Sequence, residues 1–214
     1  MTVATQTEVQ FRDAVHRLAA DDPALGAVVH EHGDPPFWHR PPGFQTLVLF
    51  ILEQQVSLAS AAAAYGRLER RTGRVTPASI LASTDEELRA DGFSRQKSGY
   101  VRHLSIAVTH GEVDLDALAA LPDDDVRGRL VALKGVGNWT ADVYLLSCLR
   151  RPDLWPVGDR ALQVAAAETL GLAEVPDQAA LAEIGERWRP DRSTAARILW
   201  HGYLARRGRN DAPA

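Results

Sequence analysis

Apolar positions recur at helical spacing along almost the whole chain, and no stretch alternates apolar and polar residues as a half-buried strand would. The run EVQFRDAVHRLAADDPALGAVVHEHG spaces its apolar residues three and four apart and breaks at Pro23. GDPPFWHRPPG follows, too proline-rich for regular structure. FQTLVLFILEQQVSLASAAAAYGRLERRTG predicts two helices parted by Glu53-Gln54-Gln55, with Ser57 as N-cap of the second. Thr84 to Glu87 make a capping box that opens ELRADG, and Gly92 ends it. Ser94 caps the helix of SRQKSGYVRHLSIAVTHG, with Gly111 just past its end. Pro122 opens PDDDVRGRLVALKG, where acids in the first turn suit the helix dipole. Further helices are predicted over Trp139–Leu149, Arg160–Leu170, Gln178–Trp188 and Thr194–Arg206. The expectation is an all-α chain of roughly ten short helices, without repeats or low-complexity tracts.

Composition adds limits. With 214 residues, 45% hydrophobic and 24% charged, the chain suits one soluble domain of good size or two closely packed lobes. Cys148 is the single cysteine, so this sequence holds neither a disulfide framework nor a cysteine metal cluster; that fits a reducing compartment. MTVATQTEVQF lacks a basic region followed by an apolar core, and runs such as LVLFIL are too short to span a bilayer. A cytoplasmic protein with no membrane partner is expected. The net charge of −4 argues mildly against nucleic acid, yet the charge is segregated. Seven arginines and one acid, Asp191, lie between Arg187 and Arg209, and Arg95, Lys97 and Arg102 share another segment. Only two of the 24 basic residues are lysine, so genome composition explains the arginines as well as a binding surface does.

Two elements carry candidate chemistry. LKGVGNWTADVYLL joins two helices through Gly135-Val136-Gly137. Glycine permits positive φ and close approach, and the first N–H groups of the next helix suit a phosphate oxygen. Such groups position a duplex without reading its sequence. A plain helix–helix turn accounts for Gly-x-Gly equally well. LWPVGD puts Asp159 at the start of RALQVAAAETL, where local sequence alone favours an N-cap. The same carboxylate is well placed to stabilise positive charge in a reaction.

Five anchors in one order, ILEQQVSLASA, GFSRQKSGYVRHL, LKGVGNWTADVYLL, WPVGD and WRPDRSTAARILW, resemble the helix-hairpin-helix (HhH-GPD) DNA glycosylases, and among them the 3-methyladenine DNA glycosylase II group. The resemblance runs from Phe44 to Tyr203. It implies an all-α, two-lobed fold, with a central lobe at residues 45–150 carrying the hairpin and a second lobe from 1–44 plus 151–214. The cleft between them would take an extruded base. It further implies a monomer that acts on double-stranded DNA containing damaged bases. Lys134, Gly135, Val136, Gly137 and Thr140 would lie at a DNA phosphate, and the backbone carbonyls of Val131, Leu133 and Val136 would hold Na+ or K+. Lys134 stands where proline is common, an added positive charge beside the phosphate. No cofactor is required, and the single cysteine excludes the four-cysteine iron–sulfur loop of some relatives. Residues before Phe44 look helical and too few for the β-rich N-terminal domain of others.

Asp159 aligns with the family's catalytic aspartate, which stabilises an oxocarbenium-like sugar and orients or deprotonates water. Relatives that also cut the backbone carry a lysine nucleophile two positions after the second hairpin glycine. Here Trp139 stands there, so water is the expected nucleophile and no lyase activity is expected. Trp139 and Trp200 match the two pocket tryptophans of the alkylpurine enzymes, whose aromatic faces suit a cationic base. By helical spacing alone, either would be core. Val143 occupies a place where relatives can carry an aromatic, so the neighbouring Tyr144 is a further lining candidate, with Phe37 and Trp38 of the proline-rich connector. Gln55 is the candidate wedge and Gln54 its neighbour; the alternative for both is a solvated loop. Methylation makes a purine a good leaving group, which suits a site with one carboxylate and no second acid. The expected activity is excision of alkylated purines (3-methyladenine or 7-methylguanine type), leaving an abasic site in base excision repair. The alternatives are a glycosylase for deaminated or oxidised bases, and a hairpin DNA-binding module without catalysis.

Overall fold

The computed structural model describes residues 3–209; residues 1–2 and 210–214, at the ends of the expected glycosylase unit, lie outside the described residues. Among the described residues all regular structure is helical. The α-helices are α1 (Glu8–Asp21), α2 (Pro23–His32), α3 (Phe44–Glu53), α4 (Leu58–Thr72), α5 (Pro77–Ala82), α6 (Asp85–Ala90) and α7 (Arg95–Thr109). A 3₁₀ turn at Ala117–Ala120 precedes α8 (Asp123–Val131), α9 (Asn138–Ser147), α10 (Arg160–Leu170), α11 (Gln178–Glu186) and α12 (Arg192–Ala205). Caps set the boundaries. Asp22 ends α1 and caps α2, accepting the Ala24 N–H at 2.9 Å, with Pro23 in the first turn. Ser57, Thr84 and Ser94 cap α4, α6 and α7. The short α5 and the 3₁₀ turn span too few residues for an apolar period to be legible.

The chain divides into two compact units, one built on Arg40–Tyr144 and the other on Ala4–His39 with the chain from Leu145 onward. In the first, α3 packs against α4 and α7, and α7 against α5 and α6. Leu47, Val48, Phe50 and Ile51 of α3 are buried, as are Leu68 of α4 and Val101 and Leu104 of α7. In the second, α12 packs against α1, α2 and α10. It is buried without interruption from Ser193 to Trp200, three polar residues included. Burial of that kind demands partners. Ser193 Oγ donates to the Arg151 carbonyl (2.6 Å) and accepts the Leu154 N–H (2.9 Å), and Thr194 Oγ1 accepts from Gln6 (3.1 Å). Arg197 is the third.

Candidate active site

LWPVGD is rigid for reasons visible in its own unit. Trp155 is buried, donates to the Leu181 carbonyl at 2.8 Å, and meets Trp188 edge-on at 5.3 Å. It lies so close to Gly185 that a Cβ there would come within 2.5 Å of the indole. Past this anchor the Asp159 N–H bonds to the Pro156 carbonyl (2.9 Å), and Gln163 donates to the Val157 carbonyl (3.2 Å). Asp159 thereby becomes the N-cap of α10, its Oδ1 accepting the Leu162 N–H at 2.6 Å. The same oxygen accepts Trp200 Nε1–H from α12 at 3.2 Å. The carboxylate is buried at 8% exposure. An acid at this depth, aimed by two donors at the positive end of a helix, is prepared to face a developing cation.

Trp200, expected as a wall of the base pocket, is 2% exposed, so its resolved contribution is the hydrogen bond that aims Asp159. Tyr144, expected beside it, is fully buried, and its hydroxyl accepts the Gly43 N–H at 2.9 Å; it packs as core. Phe37 is half-buried, tilted on Phe11 at 4.8 Å, and Trp38 is half-buried with its carbonyl accepting from Arg197 at 3.2 Å.

The hairpin between α8 and α9 matches its sequence reading in backbone terms. Gly135 has φ +89°, and an added Cβ would fall on the Tyr100 ring, so this position requires glycine twice over. The Val136 N–H closes the turn on the Leu133 carbonyl (3.0 Å), and the first bond of α9 runs from Ala141 to Gly137 (3.0 Å). Exposed Gly137 and Asn138 therefore stand at the positive end of α9, with exposed Lys134 nearby in the turn. Trp139, half-buried, lines a shallow hollow of about 440 Å³ with Gln54, Tyr100, Thr140 and the hairpin backbone. Of the three carbonyls expected to hold a cation, Val131 ends α8, where carbonyls run out of intrahelical donors. That of Leu133 keeps a second lone pair beyond its turn bond. Backbone carbonyls, that of Val136 included, are oxygen donors of the kind that suits a hard cation.

Gln54 and Gln55 part company. Gln55 is exposed, with φ +59°. Gln54 turns inward and donates to the Gly135 carbonyl at 2.8 Å, which ties it to the hairpin. Tyr100, which covers Gly135, also belongs to the hairpin, and Lys97 donates to the Leu52 carbonyl at the end of α3; the sequence singles out neither for these places. Nothing local marks them, because each is one polar-tipped residue on an amphipathic helix. Four of the seven arginines of the C-terminal segment are paired with acids of their own unit. Arg189 and Arg192 pair with Asp153 and Glu186, and Arg206 and Arg207 with Glu168.

Residues 48–190 match the family described as HhH-GPD superfamily base excision DNA repair protein. YfjP of Bacillus subtilis is 26% identical over 185 residues, 83% of this chain. The match spans 64% of that relative, less than two thirds of its length. Among solved structures, a DNA-3-methyladenine glycosidase from Bacillus halodurans superposes with a TM-score of 0.75 at 32% identity, covering 92% of this chain and 93% of that one. The 3-methyladenine DNA glycosylase Mag1 of Schizosaccharomyces pombe, solved in complex with abasic DNA, gives 0.81 at 25% identity, covering 88% and 95%.

Proposed function

Because the chain belongs to the HhH-GPD superfamily of base excision DNA repair proteins, we propose that it is a monofunctional DNA glycosylase. It hydrolyses the N-glycosidic bond of alkylated purines, of 3-methyladenine or 7-methylguanine type, in duplex DNA and leaves an abasic site. The observation that carries this reading is the buried Asp159 carboxylate, aimed by Leu162 N–H and Trp200 Nε1–H. The names of the two superposed glycosylases support the substrate class.

In this reading the C1′–N bond breaks with its electrons leaving on the base, which methylation has already made cationic. The sugar acquires oxocarbenium character, and Asp159 stabilises it electrostatically. Asp159 also orients and deprotonates the water that adds to C1′. Trp139 offers no amine where a lyase would need one, so no Schiff base forms; its ring is assigned to stacking on the cationic base. Gly135, Val136, Gly137, Lys134 and the Thr140 region grip a phosphate, and Na+ or K+ on the Val131, Leu133 and Val136 carbonyls would stiffen that turn. Gln55 enters the stack in place of the base. The protein is assigned to the cytoplasm, as a monomer without an iron–sulfur cluster.

Asp159→Asn keeps a capping oxygen, so folding is expected to survive while release of 3-methyladenine and 7-methylguanine from alkylated duplex falls at least about 10²-fold. Normal release by the variant would sink the mechanism. Running hypoxanthine and 8-oxoguanine duplexes alongside reads the substrate class directly.

A further inference from the structure

The turn that ends α3 is pinned from several sides. Lys97 Nζ donates to the Leu52 carbonyl at 2.6 Å, and Arg40 clasps both carboxylate oxygens of Glu53 at 2.9 and 3.1 Å. Gln54 Nε2 reaches the Gly135 carbonyl at 2.8 Å, across 81 residues of sequence. Its amide also lies 3.5 Å from Thr140 Oγ1 at the start of α9. Tyr100, on the same helix as Lys97, closes over Gly135. Burial lowers the Lys97 pKa, the mark of an ammonium drawn from water to serve a carbonyl. Gln55, next in the chain, is exposed and left-handed at φ +59°. A non-glycine residue holds that conformation only where its surroundings impose it.

We propose that Gln54 is a positioning residue that straps the Gln55 wedge to the phosphate-gripping hairpin, so that grip and base extrusion proceed as one event. This rests on the glycosylase reading above. A side chain entering a base stack is pushed back by the stacking it interrupts. Something must carry that push. In this reading the hairpin is the element fixed to the DNA backbone, and the Gln54 amide is a direct side-chain link from the wedge turn to it. With the link cut, the turn recoils while the hairpin stays bound.

The test uses the full chain and a duplex carrying a tetrahydrofuran abasic analogue beside 2-aminopurine. The fluorescence rise at saturating protein reads wedge insertion, and the titration midpoint reads grip. Gln54→Glu sets a carboxylate against the Gly135 carbonyl, and Gln54→Met removes the donor without adding charge. Each is expected to lower the insertion equilibrium about tenfold, the scale of one buried hydrogen bond with its acceptor left unmet. The midpoint should shift far less. Gln55→Ala should lose the rise alone, and adding Gln54→Met to it should cost little more. A native rise in both Gln54 variants overturns the strap, as does a rise that falls only in step with the folded fraction measured by thermal melting. If the Glu variant does not fold, the Met variant decides. Native protein that gives the rise but releases no alkylated base refutes the proposed function and leaves the strap tested; native protein that gives no rise refutes the strap too.

Discussion

Asp159 is a helix cap and the candidate catalytic group at once, and the two roles use the same atom geometry. Oδ1 takes the Leu162 N–H as any capping aspartate would, and Trp200 Nε1–H then fixes the remaining rotation of the carboxylate. Trp200→Phe keeps most of the ring and removes only that donor. A hydrogen bond to a charged group contributes about 1.5 kcal/mol or more, so kcat for base release is expected to drop at least about tenfold with KM little changed. An unchanged kcat would reduce Trp200 to packing. Arg197 shows the opposite economy. Its fully buried guanidinium bonds to the Ser193, Trp38 and Leu146 carbonyls at 3.0–3.2 Å and lies over Phe37 at 5.2 Å. Burial pushes its pKa down to about 9, still above neutrality, so the charge is retained at pH 7 and the three carbonyls hold it.

At the scale of elements, the end of α3 depends on an ion pair. Glu53 is 8% exposed, and its burial outweighs the pull of Arg40, leaving the carboxyl above the ordinary carboxylate range. The folded state therefore binds this proton more readily than the unfolded state, and the Glu53 contribution to stability improves as pH falls toward the unfolded value and worsens as pH rises through the folded one. Arg40→Met keeps an aliphatic body against Phe50, over which the guanidinium lies at 5.0 Å, but strands the carboxylate. At pH 7 the variant is expected to lose about 3 kcal/mol in urea unfolding. The deficit should be smaller at pH 5, because a carboxyl held above its ordinary value favours the uncharged form as pH falls. A deficit equal at both pH values would show that Glu53 is not the cause.

For the molecule as a whole, the proposed function sets a net charge of −4 against a polyanionic partner. The paired arginines of the C-terminal segment are already committed to Asp153, Glu186 and Glu168. Grip by backbone N–H groups releases few counterions. DNA affinity is therefore expected to fall only about tenfold between 50 and 200 mM salt, the loss for about two neutralised phosphates. Fluorescence anisotropy with undamaged duplex measures the slope. A loss of about 10³-fold or more would mean that the arginines exchange their acidic partners for phosphates.

What the sequence alone determined is everything written within a few residues: the helices with their caps, the Gly-x-Gly turn, Asp159 at the head of α10, and Trp139 just past the second hairpin glycine. The order of the anchors added the family. Those features depend on backbone bonds and steric preferences that act over one helical turn. Tertiary structure alone decided that Gln54 belongs to the hairpin and that Trp200 aims the carboxylate. It also decided that Tyr144 is core and that four of the seven clustered arginines pair with acids. Gln54 and Gly135 lie 81 residues apart, and Trp200 and Asp159 lie 41 apart. Polar groups buried in a close-packed interior bond whatever the packing brings to them, and no local pattern records which partner that will be.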